Sequence, residues 1–133
     1  MTDRADVPPE VLAALRGICA GLPESYEEPA WVGTRWRIRQ RTVLHVFTAQ
    51  PGSTGAFSRA AELTEPAVVM TFRAQAEEFD SLVGAGHPFF RAAWGTQVVG
   101  MIIEPDADWT EIKELLTESY RELAPAKLAR LLP

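Results

Sequence analysis

The stretch Arg35-Trp36-Arg37-Ile38-Arg39 alternates charged with apolar side chains, the period of a β-strand that has one buried and one solvent-facing side. Trp36 and Ile38 are expected to face inward. Arg35, Arg37 and Arg39 would then share the outer face about 6.5 Å apart along the strand, with Arg41 extending the row. Working outward, Thr42–Thr48 is dense enough in apolar residues for a buried strand, and Tyr26–Val32 precedes as a third, so the centre of the chain reads as an antiparallel meander. From Pro29 to Ala61 there is no Asp or Glu, while Arg35, Arg37, Arg39, Arg41 and Arg59 are all positive. Positive charge is segregated in a chain whose net charge is -5.

Around this centre the periodicity changes to helical. Pro8 and Pro9 suit a first helical turn, and Val11, Leu12, Leu15, Ile18, Cys19 and Leu22 recur at helical spacing until Gly21 and Pro23 end the run. Gln50-Pro51-Gly52-Ser53-Thr54-Gly55 has the composition of a loop. Ala67–Phe72 reads as a strand, Ala74–Val83 as a short helix and Gln97–Ile103 as a final strand. Asp108 followed by Glu111 fits a capping box, and the apolar stripe of Trp109, Ile112, Leu115, Leu116, Tyr120 and Leu123 predicts a C-terminal helix lying on the sheet. Leu128, Leu131 and Leu132 supply one last apolar turn after Pro125.

These elements predict a single α+β domain over residues 1–133, with an antiparallel sheet of about five strands and the N- and C-terminal helices on one face. Cys19 is the only cysteine, which excludes an internal disulfide and a cysteine zinc cluster, and its position on a helical apolar face predicts a buried thiol. No run approaches the roughly 18 apolar residues of a membrane span, and the N-terminus has no secretory pattern, so a cytoplasmic protein is expected, with no membrane partner. A pI near 5.0 argues against indiscriminate nucleic-acid binding and places the weight on local charge.

Several landmarks occur in a fixed order: Leu22-Pro23 after Cys19, Glu27-Glu28-Pro29-Ala30-Trp31, Gly33-Thr34-Arg35-Trp36-Arg37-Ile38-Arg39, Phe89-Phe90 ahead of Trp94, Val98-Val99-Gly100-Met101, and Glu118-Ser119-Tyr120. Together they resemble the MmcQ/YjbR-like family of small bacterial proteins, from about Pro8 to the C-terminus. The resemblance implies a fold like that of CyaY and frataxin, also described as a double-wing DNA-binding fold, and the family is commonly labelled DNA-binding. Where many relatives carry Lys at the end of the strand before the second helix, this chain has Arg73, which keeps the charge and changes its geometry.

Guanidinium groups bind phosphate oxygens in a bidentate way, so Arg35, Arg37 and Arg39, with Arg41, Arg73 and Arg91 as additions, are the candidate contacts of a DNA-binding module. The competing reading pairs these arginines with Glu27, Glu28 or the acidic helices as ordinary surface ion pairs. Phe89, Phe90 and Trp94, with Arg91 among them, form an aromatic loop that would stack on a base, wall a small pocket or plug one end of the core. That pocket belongs to the alternative function, a small domain taking an acidic protein or an anionic small molecule. His45 and His87 have no second ligand at metal spacing, and no serine lies in a nucleophile motif. The expectation is therefore a non-enzymatic protein with no cofactor and no metal, for which a monomer suffices. The acidic set Glu111, Glu114, Glu118 and Glu122 is interspersed with Lys113 and Arg121, as on a solvated helix face rather than an iron site.

Overall fold

The structure, a computed structural model, describes residues 7–51, 63–92 and 95–133. Arg59, Trp94 and the glycine-rich part of the expected loop after Pro51 lie outside the described residues. The elements are α1 (Pro9–Cys19), β1 (Tyr26–Pro29), β2 (Thr34–Ile38), β3 (Arg41–Ala49), β4 (Ala67–Arg73), α2 (Ala76–Ala85), β5 (Phe89–Arg91), β6 (Val98–Ile102), α3 (Trp109–Leu123) and α4 (Ala126–Ala129). The strands form one antiparallel sheet of six in the order β1-β2-β3-β4-β6-β5.

The sheet agrees with the expected antiparallel sheet of about five strands, with one short strand more. That strand is β5, made by Phe89-Phe90-Arg91, which the sequence suggested as part of an aromatic loop. Three residues are too few to show a period, so only the pairing of Phe90 with Gly100 reveals it. The close fit explains the partner: a Cβ on Gly100 would come within 2.3 Å of the Phe90 ring, so a larger residue there would have to displace the ring.

One face of the sheet is covered by helices. Trp36, Ile38, Val43, Leu44, Val46, Met70 and Phe72 pack there with Leu15 and Cys19 of α1 and Ile112, Leu115, Leu116 and Tyr120 of α3. Asp108 caps α3, its carboxylate accepting from the backbone N–H groups of Thr110 at 3.0 Å and Glu111 at 3.2 Å. The opposite face has no helix in the described residues and holds a smaller apolar cluster of Phe47, Ala49, Val69 and Phe90.

The β2–β3 pairing contains a bulge. Trp36 pairs with Leu44 and Arg37 with Thr42, so Val43 is the extra residue. Ser119 of α3 reaches this point from the helix layer: its hydroxyl donates to the Val43 carbonyl at 2.8 Å and accepts from the Arg73 backbone N–H at 3.0 Å. A single buried hydroxyl thus bridges β3 and β4 where their direct pairing ends at Leu44 and Phe72. The next residue, Tyr120, is also buried and donates its phenol O–H to the Pro23 carbonyl at 2.7 Å. Ser119-Tyr120 therefore fastens α3 to both the sheet and the α1–β1 connection.

Candidate anion-binding face

The alternation of β2 places Trp36 and Ile38 in the core and Arg35 and Arg37 on the helix-free face. Arg39 does not join them. The strand ends at Ile38, which pairs with Arg41 across a two-residue turn, and Arg39 takes φ 57° in that turn. Its guanidinium reaches Glu24 at 3.4 Å instead. The expected row of three arginines on one strand face is therefore a row of two.

These two share one carboxylate. Oε1 of Glu28, on the neighbouring β1, accepts from Nε of Arg35 at 2.6 Å and from Nη1 of Arg37 at 3.3 Å. The hydrogen bond from Arg35 is the main cause that holds the Glu28 carboxyl below its ordinary range, against the opposing effect of burial. Arg37 also donates to the Gln40 carbonyl, and its Nε is buried with no partner. With 20% of its side chain exposed, Arg37 serves the β2–β3 hairpin more than the surface.

Across the helix-free face, Glu28 pairs with Arg35, Arg35 with His45, His45 with Thr71 and Thr71 with Gly100. A groove of 780 Å³ crosses this row, and Arg35, Arg41 and Arg73 all line it. Among the described residues, Arg41 and Arg73 have no carboxylate within ion-pair distance of their guanidinium groups. Glu122 lines the same groove, and with Glu118 it raises the carboxyl of Glu78, whose burial is the larger cause.

Sequence reasoning did not single out His45 or Trp31 as parts of this face. Nε2 of His45 lies 2.6 Å from the Val32 carbonyl, which can only accept, so Nε2 carries a proton. Burial, with a smaller contribution from the Arg35 charge, lowers the His45 pKa and favours the neutral ring. Its bond holds the turn after β1 against the face, and Trp31 stands on that turn with 95% of its surface exposed. The signal available was the turn sequence Ala30-Trp31-Val32-Gly33, since a large aromatic beside a turn glycine has no periodic partner to bury it.

The remaining candidates lie elsewhere. Arg91 pairs with Val99, and its guanidinium carbon is 5.6 Å from the centre of the Phe79 ring on α2. Phe89 packs against the main core, whereas Phe90 belongs to the cluster on the opposite face. Cys19 is buried, and that burial, helped by the charge of Glu27, pushes its thiol up to about 12. Among the described residues, no three His, Cys, Asp or Glu side chains gather as metal ligands, and no helix is long and apolar enough to cross a membrane.

A family model described as YjbR matches residues 20–122. No curated protein and no solved structure matches the chain.

Proposed function

Since the chain belongs to the YjbR family, we propose that it is a cytoplasmic, non-enzymatic module that binds nucleic-acid phosphates on the helix-free face of its sheet. The observation that carries this reading is the opening of three guanidinium groups, Arg35, Arg41 and Arg73, onto one groove, two of them without a neutralising carboxylate among the described residues. Arg35 is held in orientation by Glu28 and offers its remaining N–H groups. Arg41 and Arg73 have no carboxylate within ion-pair distance among the described residues, which leaves their N–H groups open to a ligand. The reading as a binding module rather than an enzyme draws support from the polar groups of the fold, whose bonding is structural: Ser119 bridges two strands, His45 holds a turn and the Cys19 thiol is kept protonated.

Few phosphates are engaged, so the affinity is modest and depends on salt. Each guanidinium that neutralises a phosphate contributes about -0.7 to the slope of log affinity against log salt on a single strand, and about -0.9 on a duplex. Fluorescence anisotropy with labelled oligonucleotides at two salt concentrations tests this. Arg41→Ala with Arg73→Ala is expected to weaken binding and to remove about two such increments from the slope. Absence of binding at low salt contradicts the reading and transfers the groove to an anionic small molecule or an acidic protein.

A further inference from the structure

Trp31 is the largest apolar group left in water among the described residues, and three restraints hold its turn in place. The Ala30 N–H donates to the Gly33 carbonyl at 3.1 Å, closing the turn. The Val32 carbonyl accepts from His45 at 2.6 Å. Gly33, at φ 72°, lies so close to β3 that a Cβ there would come within 2.0 Å of the Val46 carbonyl oxygen. The turn is thus pressed onto the sheet while its one aromatic side chain projects from it. Trp31 lines the groove that Arg35, Arg41 and Arg73 also line.

We infer that Trp31 is a stacking platform for an unpaired base, and that the groove takes single-stranded nucleic acid in preference to duplex. This inference rests on the nucleic-acid reading above and specifies its ligand. A duplex hides its base faces within its own stack, so an exposed indole gains little from it, whereas every base of a single strand offers a face. Charge leads to the same preference. The chain carries a net charge of -5, Glu28 offsets Arg35, and Glu122 lines the groove, so the long-range attraction that dominates duplex binding is weak here. Stacking is less sensitive to those acids and adds to the phosphate contacts of Arg41 and Arg73. The restrained turn keeps the platform in position before the ligand arrives, which reduces the ordering needed on binding.

The test is anisotropy with a labelled oligothymidylate and a duplex of equal length, using the full chain. The expected result is tighter binding of the single strand, a loss of about 5- to 150-fold in that affinity for Trp31→Ala, and retention of most of it by Trp31→Phe. Because Trp31 is exposed, the unfolding midpoint of Trp31→Ala is expected to match that of the parent. If Trp31→Ala binds the single strand as the parent does while Arg41→Ala with Arg73→Ala does not, the platform is refuted and the phosphate-binding face stands. Preference for the duplex, or equal competition by a mononucleotide, also overturns the inference. Binding of neither oligonucleotide at low salt overturns both readings.

Discussion

Oε1 of Glu28 accepts from Nε of Arg35 at 2.6 Å, a charge-assisted contact across the β1–β2 pair on the face where a ligand is proposed to bind. The same oxygen also holds Arg37, so one acid restrains two arginines. Glu28 fixes the direction of Arg35 and diminishes its field, a compromise between orientation and attraction.

Glu28→Gln is therefore expected to tighten oligonucleotide binding several-fold and to steepen its salt dependence by up to about 0.7 on a single strand for each arginine it frees. Anisotropy titrations of parent and variant at two salt concentrations provide the measurement. Unchanged affinity and slope would show that Arg35 and Arg37 do not face the ligand.

Ser119 is expected to matter for stability through its two bonds. Ser119→Ala leaves the Val43 carbonyl and the Arg73 N–H without their partner at the end of the β3–β4 ladder, a loss of about 1–3 kcal/mol. Urea denaturation should show a lower midpoint with an unchanged slope. An unaltered midpoint would mean that the bridge is not formed.

His45 gives the fold a pH dependence. Burial, and then the charge of Arg35, lower its pKa in the folded chain below 6.5, so the unfolded chain takes up the proton first. Above pH 6.5 the ring is neutral in both states and imposes no penalty; stability falls as pH drops below 6.5, until the folded-state value is passed. The thermal midpoint is expected to decrease between about pH 7.5 and about pH 5.5, and to decrease less in His45→Gln. Equal decreases in the two proteins would remove His45 as a cause.

The strands with many residues were legible in the sequence because alternation and apolar density leave few choices, and α3 was legible from its stripe and Asp108. β5 was not, because three residues carry no period and its existence depends on Gly100, which lies ten positions beyond its partner Phe90. The arginine row was read one residue too far: alternation continues through Arg39, but the turn begins there, and a strand end is set by pairing rather than by side-chain type. The acid-free interval from Pro29 to Ala61 also misled, since Glu28 and Glu24 lie just outside it in sequence and beside Arg35, Arg37 and Arg39 in space. Ser119-Tyr120 was legible as a landmark, whereas the bridge made by Ser119 depends on where the β3–β4 ladder ends, a feature of register that residue types do not announce.

The most direct test of the proposed binding face is a map of backbone amide and Trp indole NMR shifts during titration with an oligothymidylate at low salt. Perturbations are expected at Trp31, Arg35, Arg41, His45, Thr71 and Arg73, all lining the groove, while the exposed positions of α1 and of the N-terminal half of α3, away from Glu122, remain still. Shifts confined to those helices, or no shifts at all, would contradict the account.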